Sequence, residues 1–342
     1  MTTTPPTTPK PRRRWLQFSL RTLMVLMVLM VVFGCGFGWL GMKIRQARRQ
    51  REAAEAIRNL GGAVQYDYEP EEWRSSTDHP APPGPAGLGQ ILGDDFFRDA
   101  IEAYISTDDA MKYVKRLPRL RTLHLDGKGI TDAALRDSDG LRELQSLKIL
   151  QSSVTPATLV RLRQLPRLRE LVVRQQVLGD AGLEPLQGLS QLKVLGLICA
   201  DITDEGIRHL RGLAQLEQLD VSFNPGITDA GLEALDGLPE LRALCLAITC
   251  VSDAGMHHLE GLAKLEELDL GTTGIGDAGL THLRGLTQLQ SLSLNDTSVT
   301  NAGLAHLRGL TQLNVLDLRS TRVTDAGVKE LNRALPNLMI TR

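Results

Sequence analysis

Apolar and polar positions cycle in a fixed pattern through the C-terminal two thirds of the chain. Leucine returns about every 24 residues, at Leu120, Leu144, Leu168, Leu192 and Leu216, then at Leu241, Leu265, Leu289, Leu313 and Leu338. A period of this size predicts stacked units, because no single unit can bury its own apolar face. From Leu289 the spacing Leu289, Leu292, Leu294 predicts a strand with one buried face. Asn295, Asp296 and Thr297 turn the chain, and Val299 returns to the core. Thr300 and Asn301 are placed to cap a helix, since a side-chain oxygen there accepts from an unpaired amide of the first turn. Leu304, Leu307 and Leu310 then predict one inward helical stripe, ending near Gly309, where a left-handed turn is cheap.

The neighbouring units repeat these choices. Ile202, Ile227, Val251, Ile275 and Val323 stand in the place of Val299. Thr203-Asp204, Thr228-Asp229, Ser252-Asp253 and Thr324-Asp325 take the capping place. Thr249, Thr273, Thr297 and Thr321 share one turn position, and their hydroxyls are expected to bond loop backbone in a ladder along the stack. The unit L-x-x-L-x-L-x-x-T-x-I/V-T-D-A-G-L-x-x-L-x-G-L resembles a leucine-rich repeat. It is most similar to the ITDAGL-type bacterial repeats and to the cysteine-containing repeats of F-box receptors. The resemblance covers roughly Leu120 to Ile340. It implies an α/β fold, a curved solenoid with parallel strands on the concave side and short helices on the convex side. No F-box sequence is found ahead of the repeats, so ubiquitin-ligase function does not carry over.

Three departures stand out. Pro156 replaces the usual Asp, the next unit has Gly179-Asp180 in the capping place, and the unit from Leu216 holds one extra residue near Phe223-Asn224-Pro225-Gly226, expected to form a local bulge. Residues 92–119 fit the repeat loosely and are read as an N-terminal cap, ahead of a repeat domain over 120–342.

The head of the chain differs in kind. Thr22 to Met42 is 21 residues without a charge, long enough to cross a hydrocarbon core of about 30 Å as a helix. Trp15 and Trp39 lie near its ends, where amphipathic rings favour the interface. A cleaved signal peptide competes, but the run is long, no A-x-A site follows and basic residues come next. Val32-Phe33-Gly34-Cys35 matches a lipobox poorly. The expectation is a single-pass anchor: a basic tail over 1–21, a transmembrane helix over 22–42 and a basic juxtamembrane helix over 43–63. The Pro/Gly-rich stretch 64–91, with Pro80, Pro82, Pro83 and Pro85, is expected to be a spacer that holds the solenoid away from the bilayer. Five basic residues on each side of the span leave its orientation undecided by charge. A short tail before a long C-terminal domain is the usual signal-anchor layout and places the repeats outside the cytoplasm. Residues 1–58 hold eleven Lys or Arg against two Glu, and the remainder 28 against 38. A basic head on an acidic solenoid suits anionic lipid. Gly34 and Gly38 form G-x-x-x-G, a route to pairing of two copies.

Other motifs carry little chemistry. Gly36-x-Gly38-x-x-Gly41 matches a dinucleotide fingerprint but lies inside the apolar run, with no strand ahead of it. His209, His258, His282 and His306 recur at one position, without a carboxylate or Cys at ligand spacing, and read as surface histidines. Cys35, Cys199, Cys245 and Cys250 include no C-x-x-C pair, and Cys199 and Cys245 lie two repeats apart, about 10 Å, beyond disulfide reach. No nucleophile, acid, base and metal set converges, so neither catalysis nor a cofactor is expected. From Leu120 onward the only aromatic residue is Phe223, and this acidic region is a poor match for nucleic acid.

The outward strand positions can be read as three rows. Most are small or polar, except for a middle patch of Leu150, Val172, Val194, Ile198, Ala243, Cys245 and Ala247, flanked by Arg174, Asp220 and Asp269. Clustered apolar side chains of this kind mark an interface. The expected function is a membrane-tethered module that binds a protein or peptide on its concave face through Leu150, Val172, Arg174, Val194, Ile198, Asp220, Cys245 and Asp269. Self-association into a membrane scaffold, through Gly34 and Gly38 or the C-terminal edge, is one alternative. A substrate receptor in protein turnover is the other.

Overall fold

All ten ladder leucines are buried, from Leu144 with no exposed surface to Leu338 at 7 %. The computed structural model describes residues 20–67, 98–136 and 140–342, with side chains from residue 38 onward. Among these residues one twelve-stranded sheet runs in chain order. Its strands are β1 (Ala63–Tyr66), β2 (Ala100–Thr107), β3 (Thr122–Gly129), β4 (Ser146–Leu150), β5 (Glu170–Arg174), β6 (Val194–Ile198), β7 (Gln218–Asp220), β8 (Ala243–Cys245), β9 (Glu267–Asp269), β10 (Ser291–Ser293), β11 (Val315–Asp317) and β12 (Met339–Thr341). From β2 onward every pair is parallel, and equivalent residues sit side by side. Leu171 therefore lies between Leu147 and Leu195, and the leucines form one continuous core.

Four return segments are 3-10 helix rather than α-helix: Asp180–Gly188, Asp229–Gly237, Asp253–Leu259 and Gly279–Leu283. Inward leucines at a spacing of three, as at Leu183, Leu186 and Leu189, suit the 3-10 period, but the same spacing from Ile207 to Leu210 and Leu213 starts in an α-helical turn, so spacing alone does not decide between the two. Gly309 has no left-handed backbone. The left-handed position is instead one to three residues past the strand, occupied by Gln151, Gln175, Cys199, Phe223, Ile248, Thr272, Asp296 and Ser320 in turn. The Thr row stabilises this turn within its own repeat. Thr249, Thr273 and Thr297 donate to the carbonyls of Leu246, Leu270 and Leu294, three residues back, at 2.5–2.6 Å. They do not form the ladder between repeats that their period suggested.

The inter-repeat ladder belongs to the Thr-Asp pairs. Thr203, Thr228, Ser252 and Thr300 cap their own helix turns, as Thr203 does by accepting from the Glu205 amide, whereas Thr324 makes no such bond. Each Asp reaches forward into the next repeat. Asp180 accepts from the Thr203 amide and hydroxyl, both at 2.7 Å, and from the Gly206 amide at 3.0 Å. The same contacts recur from Asp204 to Thr228, Asp229 to Ser252 and Asp277 to Thr300. The glycine of T-D-A-G follows from this approach, because a Cβ on Gly206 would lie 2.5 Å from the Asp180 carboxylate. Pro156 and Gly179 are one departure and not two. The repeat without an Asp is followed by a repeat without the hydroxyl it would have held. The extra residue near 223–226 also has a function. Asn224 is fully buried, accepts from the amides of Ala200 and Ile202, and donates to the carbonyls of Leu197, Val221 and Ser222.

The N-terminal end differs from its expectation. A single helix, α1 (Leu20–Asn59), covers the expected span and most of the juxtamembrane segment expected over 43–63. Its C-terminal third packs onto the sheet through Ala47, Gln50, Ala53, Ala54 and Ile57 and against α2 (Asp108–Val114). Gln50 clamps it, donating to the Arg98 carbonyl and accepting from the Ala100 amide. The chain turns at Gly61 and Gly62 into β1, which adds antiparallel to β2 as the outer edge strand. Residues 64–66, expected to start a spacer, are therefore sheet, and the stretch that follows joins two adjacent strands. It does not separate helix from solenoid. Among the described residues no helix is long and apolar enough to cross a membrane. The side chains of 20–37, most of the expected span and including Gly34, lie outside them.

Two outcomes test this construction. Burial pushes the Asp132 carboxyl up, but hydrogen bonds from Thr155 and Thr158, with Arg161 nearby, outweigh it and hold the group below the usual carboxylate range. Its stabilisation is present above about pH 4, the unfolded value, and is lost as pH falls through the lower folded value. Urea midpoints from neutral pH to about pH 3 should fall less steeply for Asp132→Asn than for the wild type; Asn301 already fills the equivalent place, accepting from the Thr324 amide. Asn224→Ala should cost roughly 3 kcal/mol in urea unfolding, because it orphans several buried backbone groups at once.

Candidate functional site

Successive strand residues point to opposite faces, so the leucines that fill the core force their neighbours outward. The middle outward row is the in-register series His124, Lys148, Val172, Gly196, Asp220, Cys245 and Asp269. Gly196 breaks this row. It has no side chain between Val172 and Asp220, and a Cβ there would press against Val172 at 3.2 Å. The missing side chain helps open a hollow of about 460 Å³ over β5 to β10.

The hollow has two halves. Val172, Val194, Ile198 and Ala243 supply an apolar wall. Asp220, Glu267 and Asp269 supply carboxylates, and no Lys or Arg lines it. Asp220 and Asp269 each accept a backbone amide, from Ser222 and Gly271, both at 2.9 Å. Neither forms a salt bridge among the described residues, whereas Asp317, in the same row, is paired with Arg319 at 2.6 Å. Hydrogen bonding from Arg319 is the main reason that the Asp317 carboxyl is held below its usual range.

Cys245 sits between the two free carboxylates, with its thiol 3.8 Å from Asp269. Burial pushes this thiol up to about 12, and the charges of Asp220 and Asp269 add to the effect. It stays protonated at neutral pH and is a poor nucleophile. Cys199, Cys245 and Cys250 are all free thiols.

Six of the eight residues expected to bind a partner thus meet in one hollow: Val172, Val194, Ile198, Asp220, Cys245 and Asp269. Leu150 and Arg174 do not join them. They line a separate hollow of about 290 Å³ with Asp126, Gln151 and Gln175, over β3 to β5, whereas Ile198, in register with Arg174 on the next strand, lines the main one. The main hollow loses its expected cation in consequence. The apolar residues in it are half-buried, shielded by their neighbours on the sheet.

Sequence reasoning passed over Gly196 and Glu267, although both stood in the outward rows. It also passed over a polar cluster at the N-terminal end of the concave face. There Tyr104 donates to Glu102 at 2.8 Å, His124 lies 2.6 Å from the same carboxylate, and the Tyr104 and His124 rings stack 4.0 Å apart. The four periodic histidines lie on the convex side. Each contacts a side chain of the preceding repeat: Gln187 with His209, Asp236 with His258, Glu260 with His282 and Arg284 with His306. Among the described residues no three His, Cys, Asp or Glu are placed to hold a metal ion.

A family profile described as Leucine Rich repeat matches residues 215–235, 261–283 and 310–331. No curated protein matches the chain. Among solved structures, an internalin (inlF) from Listeria monocytogenes is 23 % identical, with 69 % of this chain and 70 % of that chain covered and a TM-score of 0.49. An internalin C2 (inlC2) from the same organism is 22 % identical, with 68 % and 83 % covered and a TM-score of 0.42. The three matched segments and the chain's own in-register strand ladder show leucine-rich repeats stacked in a parallel-strand solenoid.

Proposed function

We propose that the protein is a membrane-anchored binding module that holds an extended protein segment in the hollow over β5 to β10. The observation that carries this reading is the hollow's division into an apolar wall and a carboxylate wall with no cation of its own. A segment that fits places an aliphatic side chain against Val172, Val194 and Ile198 and a Lys or Arg beside Asp220 and Asp269. Desolvated charge pairs of this kind set specificity and association rate more than raw affinity.

Catalysis does not suit the same site, since the thiol of Cys245 is kept protonated and the carboxylates have no acid–base partner among the described residues. The anchor is the uncharged run Thr22 to Met42, and the repeats lie outside the cytoplasm, as the signal-anchor layout implies. Pairing of copies through Gly34 and Gly38 is compatible with this reading, and Gly38 has open space around it.

Selection of displayed random peptides on the full chain in lipid nanodiscs tests the site. Enriched peptides should carry Lys or Arg close to an aliphatic residue. Asp220→Asn with Asp269→Asn should weaken them about tenfold and flatten their salt dependence. Val172→Asp with Ile198→Asp should abolish capture while the leucine core stays folded. Peptides without basic residues, or capture untouched by both double variants, would remove the hollow from consideration.

A further inference from the structure

Helix α1 is welded to the sheet in a defined direction, and this decides which side of the solenoid meets a membrane. Gln50 lies level with the start of β2, where it bonds Arg98 and Ala100. Farther along the chain, the turn at Gly62 packs on Ile57 and against the Tyr104 carbonyl, past the middle of β2. The helix therefore climbs beside the strand from its N-terminal end to its C-terminal end. The part of α1 ahead of about residue 47 projects past the rim at which the strands begin. Trp39 and Met42 are exposed on this projection, and Arg45, Arg48 and Arg49 are exposed between them and the clamp.

The distances leave no room for a tether. Gln50 is eight residues from Met42, about 12 Å along a helix, and the headgroup layer on one side of a bilayer takes up about 5–7 Å of that. The two rims of the solenoid also differ in charge. On the strand-start rim, near the helix, Arg121, Arg142 and Arg169 are exposed and make no salt bridge among the described residues. On the opposite rim the helix turns begin, and there the Asp ladder runs through Asp132, Asp180, Asp204, Asp229 and Asp277.

The geometry points to a solenoid that stands edge-on at an anionic lipid surface. The strand-start rim, with Arg121, Arg142 and Arg169, lies against the headgroups together with Arg45, Arg48 and Arg49 of the helix. The Asp rim faces away. The strands run along the bilayer normal, and the hollow over β5 to β10 opens sideways, parallel to the membrane plane. Like charges on the outer rim and opposite charges on the inner one favour this orientation. The inference rests on the membrane-anchor reading proposed above.

The test uses the full chain with Cys35, Cys199, Cys245 and Cys250 replaced by Ser, reconstituted in phosphatidylserine-containing vesicles. A dye is placed through Gln215→Cys on the strand-start rim or through Glu205→Cys on the Asp rim of the same repeat. Both positions are exposed. Quenching by a headgroup-labelled lipid should be several-fold stronger at Gln215→Cys. A four-residue Gly-Ser insertion between Met42 and Lys43 should erase the difference. Equal quenching, stronger quenching at Glu205→Cys, or indifference to the insertion would overturn the orientation. Alkaline extraction separates the two layers of the argument. A chain that washes off the vesicles removes the anchor and the orientation together, whereas a retained chain with equal quenching removes the orientation alone.

Discussion

The structure depends on leucines that belong to no single repeat. Each unit supplies one strand, one turn and one short return segment, too little to enclose an apolar face. The ladder residues are buried only because the units before and after close over them. Each buried leucine stabilises the fold by roughly 2 kcal/mol, but only while register is kept, because a slip of one residue would turn the core face outward. The near-constant step of 24 residues is the condition for that register. Ends need separate treatment, and at the N-terminus the sheet is closed by β1 and α1 rather than by another repeat.

Polar contacts then fix what the leucines bring together. The Asp of one repeat satisfies the amide and hydroxyl of the next, and the absent side chain of the following glycine makes space for it. The interruption at Pro156 and Gly179 loses both partners at once, whereas at Gly276 the Asp253 carboxylate keeps the amide without a hydroxyl. Asn224 serves the same end inside the core, where an unpaired amide or carbonyl would be costly. Strain is tolerated on top of this network. Ile248 and Thr272 are β-branched residues in left-handed backbone, a conformation that persists only when its surroundings over-determine it. The hydroxyls of Thr249 and Thr273, directly after them, supply part of that constraint.

Function occupies the positions that the core leaves free. The outward rows carry no packing duty, so their chemistry can vary from repeat to repeat, and a hollow forms where a glycine and an alanine replace larger residues. Asp317 shows what a satisfied carboxylate looks like in this row, paired to its own Arg319. Asp220 and Asp269 lack such a partner among the described residues. The contrast within one row of one sheet distinguishes a surface that is finished from one that is waiting for a charge.

Much of this was legible in the chain. The period, the strand with its buried leucines, the cap residues and the outward rows all follow from local spacing, because a repeat presents the same environment each time. What the sequence could not decide depended on residues distant along the chain. The Thr-Asp pair looked like a cap and proved also to be a bond between repeats, since its partner lies about 23 residues away. Leu150 and Arg174 looked like part of one patch but line a second hollow nearer the N-terminal end of the sheet. The apolar run and the repeats looked like two bodies on a spacer. Gln50 and Gly62 join them instead, because one helix runs on into the sheet and its packed face is set by tertiary contact and not by composition.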